Sequence, residues 1–145
     1  MATIEEAVRL RSEGYTQEII TLNELLPYET KNILKYNLLP GVSDFDVVCA
    51  LNEEAKKYNK LANIHVEVDT GMGRVGKKPS EMLEFCKAIR KLSNINIEGI
   101  YTHFSSADSD QEYTKMQVNQ FNNVLDVLEE EGFTFKYIHT SASSG

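Results

Sequence analysis

The chain reads as an α/β protein with about five parallel strands separated by helices, and three observations lead there. Short β-branched runs alternate with longer stretches of helical periodicity, at intervals that suit β-α-β units. Several of those runs are apolar on both faces, as strands are when helices cover a parallel sheet. Residues that start and stop helices punctuate the alternation.

TIEEAVRLRSEG opens with Thr3 as N-cap, Glu6 three residues on to complete a capping box, and Gly14 just past the end. EIITL (18–22) is a continuous apolar run and the first strand. After Pro27, YETKNILKYN spaces Ile33, Leu34 and Tyr36 as one helix face would. LLPGV (38–42) is the weakest strand, because proline cannot donate to a ladder. Ser43 or Asp44 then caps the helix DFDVVCALNEEAKKYN, and NIHVEVD (63–69) is the next strand. A glycine loop leads to a helix from about Pro79 to Lys91, with proline in a tolerated first-turn position. The strand NIEGIYTHF (96–104), the polar loop SSADSDQ, the helix YTKMQVNQFNNVLDVLEEEG and the last strand in FKYIHTSASSG complete the order. Five strands are too few to close a barrel, so the sequence reads as a piece of a larger architecture. A sheet left open at both sides presents two edges, and on that ground the piece is expected to self-associate.

Composition bounds the function. With 41% hydrophobic and 26% charged residues in 145, the chain has the make-up of an ordinary globular domain. A formal net charge of -7 and a sequence pI near 5.0 leave no basic stripe for nucleic acid. No run approaches the roughly 18 apolar residues of a membrane span, and the N-terminus lacks the plan of a signal peptide. The default location is therefore cytoplasmic. Cys49 and Cys86 have no metal-ligand spacing and are expected as packed, reduced thiols.

In parallel α/β architectures functional groups sit where strands end. Three such ends are polar here: VDTGMGR, THFSSAD and HTSASSG. Alternation puts His65, Glu67 and Asp69 on one face of their strand, pointing to the interior, and Ile64, Val66 and Val68 on the other. A buried carboxylate needs a partner, and Arg74, returned by the glycine turn, is the obvious one. The plainer reading is an ion pair that only orders a loop. His103 ends its strand among small residues, where it is either a core imidazole or a site residue. Ser141, Ser143 and Ser144 with Gly145 offer hydroxyls and N–H groups suited to a phosphate, or else a serine-rich terminus. A cation, an imidazole and a phosphate-suited loop at one rim describe a site for a phosphorylated planar cofactor. The chemistry alone also allows a sugar phosphate.

The ordered set ATIEEAVRLRSEG, VEVDTGMGRVG, THFSSAD with a downstream Q and F in QVNQF, and HTSASSG resembles the N-terminal domain of alanine racemases, over nearly the whole chain. DTGMGR alone is also similar to the D-threonine aldolases, which would need a metal site, and no residues here have metal-ligand spacing. The alanine racemase resemblance implies a partial (β/α)8 TIM barrel over residues 1–145, with the family's C-terminal β domain absent. It also implies the cofactor pyridoxal 5'-phosphate (PLP), an amino acid substrate and a dimeric enzyme. Residue by residue, Arg74 would hydrogen-bond the cofactor's phenolic oxygen, His103 would lie against the pyridine ring, Ser143 would bind the phosphate and Leu22 would line the cofactor. Glu67 and Asp69 would support Arg74.

Departures from the family pattern carry information. The PLP-binding lysine and the tyrosine base of the family have no counterpart in this chain, so no catalytic residue is expected in it and the piece alone is expected to be inactive. Where many relatives have lysine, often carbamylated, Glu67 supplies a carboxylate, an anion in place of an anion. Ala142 stands where asparagine is common, which leaves racemases of serine and other amino acids open as alternatives. A non-catalytic holder of PLP or another phosphate, built on the same loops, is the alternative from a different class.

Overall fold

The computed structural model describes residues 3–71, 76–104 and 110–142, with backbone alone at Ser141 and Ala142. Helix α1 (Ile4–Ser12) begins at the capping box: the Thr3 hydroxyl accepts from the Glu6 N–H at 3.1 Å and the Glu6 carboxylate from the Thr3 N–H at 3.4 Å. Strand β1 (Ile20–Thr21) keeps only two residues of the EIITL run. A 3-10 turn (Pro27–Glu29) feeds α2 (Thr30–Lys35), and β2 (Leu39–Val42) follows despite its proline. The Leu39 N–H points to β1, bonding Ile19 O at 2.9 Å, so Pro40 turns toward β3. Its missing N–H does no harm, because the β2–β3 register starts one residue later, at Gly41↔His65.

Asp44, not Ser43, caps α3 (Phe45–Lys57), accepting the Asp46 N–H at 2.8 Å. Strand β3 (Ala62–Val68), a second 3-10 turn (Pro79–Glu81), α4 (Met82–Arg90) and β4 (Ile95–Phe104) come next. Helix α5 (Gln111–Glu130) starts two residues before the sequence suggested, since Asp110 caps it through the Tyr113 N–H at 3.0 Å. Strand β5 (Tyr137–Ala142) ends the order.

The sheet runs β1-β2-β3-β4-β5 with every pair parallel. No reversal of order occurs, so right-handed crossovers put all helices on one face, and the bare face becomes an interior. In a flat sheet the outer strands would stand about 19 Å apart, four spacings of about 4.8 Å. Yet Glu18, two residues before β1, accepts a hydrogen bond from the Tyr137 hydroxyl on β5 and lies 3.5 Å from Lys136 Nζ. The sheet therefore curls into a half-barrel, the partial barrel expected from the sequence.

Between the convex face and the helices lies the apolar core, with Ile64, Val66 and Val68 of β3 and Ile100 of β4 against Val48, Leu51, Met82, Cys86, Ile89 and Leu128. Burial pushes the Cys86 thiol up to about 12 and raises Cys49 as well, which keeps both protonated and inert. On the concave face space is tight at two glycines. A Cβ on Gly99 would stand 2.4 Å from His65 Nδ1, and one on Gly41 would stand 2.1 Å from the Tyr101 hydroxyl. Gly99→Ala is expected to cost about 1–3 kcal/mol through overpacking, read as a lower urea midpoint at unchanged m-value.

Candidate functional site

Strand register assembles the concave face. His65, Gly99 and Tyr137 lie in one row, and Glu67, Tyr101 and His139 in the next. One row further, His103 pairs with Ser141 at the strands' C-terminal ends. This register depends on an irregularity in β4: Ile64 pairs with Ile97 but His65 with Gly99, which leaves Glu98 extra. The extra residue turns its carboxylate to Lys136, 3.5 Å away, and to His65 Nε2, 3.8 Å away.

Most of the polar groups on this face pair with one another, while His65 Nε2 and Glu98 Oε2, 3.8 Å apart, are buried without a hydrogen-bond partner. Tyr101, 1% exposed, donates its hydroxyl proton to Glu67 Oε2 at 3.1 Å, and its ring stacks on His139 with centroids 4.8 Å apart. Burial first, then the neighbouring Glu67 carboxylate, drives the Tyr101 phenol far above its ordinary range, so it serves as a permanent donor. His65 Nδ1 lies 3.1 Å from His139 Nε2. Desolvation, with His139 close by, lowers His65 to about 4, and desolvation lowers His139 too.

Beyond β3 the chain closes a loop on itself. The Asp69 N–H donates to Lys77 O at 2.8 Å and the Lys77 N–H to Glu67 O at 2.9 Å, which ties the neck. Gly76, at φ +116°, makes this possible, because a Cβ there would stand 2.8 Å from Asp69 N. Inside the neck, Asp69 Oδ1 accepts the Gly71 N–H at 3.0 Å.

Of the residues singled out in the sequence, Glu67 faces the interior as alternation required, 7% exposed, and finds Tyr101 as a partner. Asp69 sits half-buried in the loop neck, His103 half-buried near the C-terminal end of β4, and Leu22 half-buried directly after β1. All strands being parallel, Leu22, Asp69 and His103 share one rim. Arg74, Ser143, Ser144 and Gly145 lie outside the described residues, and so does the Glu67–Arg74 pair. Among the described residues no group of three His, Cys, Asp or Glu is placed to hold a metal ion, and no helix is long and apolar enough to cross a membrane.

Sequence reasoning gave no role to Tyr101, His139, Thr70, Thr102, Tyr113 or Gln117, although Thr70, Thr102 and Gln117 stand in the quoted motifs. Tyr101 and His139 could have been found by extending the two-residue alternation from His103 and Ser141 back along their strands. The contacts of Tyr113 and Gln117 with the loop have no such local signal.

The family model described as "Alanine racemase, N-terminal domain" matches residues 1–145. The chain is 42% identical over 145 residues to the alanine racemase of Halothermothrix orenii, covering 99% of this chain and 38% of that protein. Its fold superposes on the alanine racemase of Clostridium difficile 630 with a TM-score of 0.93 at 32% identity, over 99% of this chain and 40% of the other. The histidine racemase of Leuconostoc mesenteroides shares the fold with a TM-score of 0.87 at 22% identity, over 97% of this chain and 37% of the other. The chain thus spans well under half the length of the relatives it matches.

The histidine pair implies an acid-sensitive interior. Because His65 is held neutral down to about 4 while an unfolded chain protonates near 6.5, its contribution to stability is complete above about pH 6.5. As pH falls from about 6.5 to 4 that contribution is lost, and Glu98, Glu18, His139 and the stacked Tyr137 are titratable groups around it. The urea midpoint should drop over this interval, and His65→Gln should flatten the drop relative to the parent.

Proposed function

The chain belongs to the alanine racemase N-terminal domain family, and from that premise we propose that it is the cofactor-binding part of a PLP-dependent racemase that interconverts L- and D-alanine. The carrying observation is the shared rim: parallel strands bring Leu22, Asp69 and His103 to one end of the half-barrel, where the neck of the DTGMGR loop also stands. Strand ends on one rim are where this architecture places its chemistry.

In this reading His103 packs against the pyridine ring and Leu22 lines its edge. Arg74 hydrogen-bonds the phenolic oxygen, and Ser143, after β5, receives the phosphate. PLP supplies an electron sink that stabilises negative charge at the substrate's α-carbon. Glu67 orients Arg74 with its own carboxylate, in the role that a carbamylated lysine has in many relatives. Tyr101 holds that carboxylate in place from the neighbouring strand. Asp69 fixes the backbone at Gly71 and so the approach to Arg74.

Racemisation needs a base on each face of the α-carbon. Both are assigned to parts of the protein beyond these 145 residues, including a C-terminal β domain. The complete protein is proposed to be a cytoplasmic dimer that makes D-alanine for peptidoglycan.

Two measurements test this. In the complete protein, Arg74→Ala should weaken PLP about 10–100-fold by absorbance titration, the worth of a lost charge-assisted hydrogen bond. Glu67→Gln, which retains an acceptor for Tyr101 but removes the charge, should weaken cofactor binding or slow turnover in the same direction. Unchanged affinity and turnover in both variants would refute the cofactor role of this loop. Separately, the 145-residue chain alone should show no alanine racemisation with PLP added, in an assay where the complete protein turns over.

A further inference from the structure

Helix α5 lies on the outer layer, yet its first two turns reach the glycine loop after β3. The Tyr113 hydroxyl donates to the Gly71 carbonyl at 2.5 Å. One turn on, on the same helix face, the Gln117 amide donates through Nε2 to Thr70 Oγ1 at 3.4 Å. Thr70 Oγ1 and Thr102 Oγ1 are 2.7 Å apart, and Thr102 Oγ1 donates to Val68 O at 2.8 Å.

Proton direction along this chain follows from its last member. The Thr102 proton is spent on a carbonyl, so Thr102 accepts from Thr70, and Thr70 in turn accepts from Gln117. The amide of Gln117 is thereby oriented with nitrogen toward the loop. All three side chains are buried, Gln117 and Thr102 at 0% and Thr70 at 1% exposed, where aligned donors strengthen one another and a missing one is costly.

Tyr113 grips a point that only glycine can offer. Gly71 has φ +137°, and a Cβ on it would stand 2.3 Å from the Tyr113 oxygen. The loop is thus tied at its neck by Asp69 and Lys77 and at its shoulder by α5. Arg74 lies in sequence between these two tied points.

We infer that Tyr113 and Gln117 are positioning residues: they hold the Thr70–Gly71 shoulder so that the loop presents Arg74 to the cofactor. This rests on the reading of Arg74 as a cofactor ligand, and the test separates the two. In the complete protein without cofactor, amide hydrogen exchange across residues 68–78 is followed for the parent, Tyr113→Phe, Gln117→Leu and the double variant, and the PLP dissociation constant is measured alongside. Exchange in the loop should rise about tenfold or more in the double variant, with β4 and the remainder of α5 unchanged. PLP affinity should fall in parallel while the urea midpoint of Tyr113→Phe stays within error of the parent. Unchanged loop exchange in Tyr113→Phe, which removes one hydroxyl from a half-buried side chain and leaves the core alone, would overturn the clamp. Faster exchange with unaltered PLP affinity would overturn its positioning role. Arg74→Ala reads the cofactor assignment independently: if that variant binds PLP normally, the proposed function fails whether or not the exchange result stands.

Discussion

One extra residue in β4 decides which side chains meet inside the half-barrel. Side-chain direction in a strand alternates with a period of two, so a one-residue slip exchanges the two faces. Continued without interruption from Ile64↔Ile97, the pairing would set His65 beside Glu98 and Glu67 beside Ile100. The irregularity at Glu98 instead aligns His65 with Gly99 and Glu67 with Tyr101. Only in that register does a carboxylate that is 7% exposed face a phenol that can donate to it. Moving charge out of water costs several kcal/mol unless hydrogen bonds replace the lost hydration, and the bulge is what lets β4 provide one.

Glycine enters this arrangement as space rather than as flexibility at two positions. Gly99 leaves room for the His65 ring from the adjacent strand, and Gly41 on β2 leaves room for the Tyr101 hydroxyl reaching over from β4, two strands away. Setting glycine where a large side chain from another strand must lie, in the same row for His65 and in the next row for Tyr101, keeps the interior filled without strain. In the loop after β3 the glycines have a different use. Gly71 and Gly76 both take positive φ, and their missing Cβ atoms admit the Tyr113 oxygen and the Asp69 amide.

The alternation of strands and helices, the Thr3 and Glu6 capping box, the inward face of β3 and the polar strand ends could all be read from residue order, because each depends on neighbours within a few positions. EIITL looked like a five-residue strand because apolar runs do not reveal how much backbone a partner will pair. The capping choice between Ser43 and Asp44 needed backbone geometry, since both side chains suit the position. Glu67 was legible as a buried acid, but its partner Tyr101 was not, because a cross-strand contact requires the register and the register requires the bulge. His65 and His139, 74 residues apart in sequence and 3.1 Å apart in space, are invisible to any local pattern.

The interior and the rim are held by different means. Below the rim, the concave face is satisfied largely from within, strand to strand, by Tyr101, Glu67, His65 and His139. At the rim the loop after β3 borrows its support from the outer layer, through Tyr113 and Gln117 of α5. That helix is also the element into which the chain runs after β4, capped by Asp110 at its first turn. This helix of 20 residues is therefore bonded to Thr70 and Gly71 after β3 and follows β4 in the chain. Thr70 and Gly71 are thereby tied to the first turns of α5, so a change at Tyr113 or Gln117 acts on the residues after β3 from outside the half-barrel.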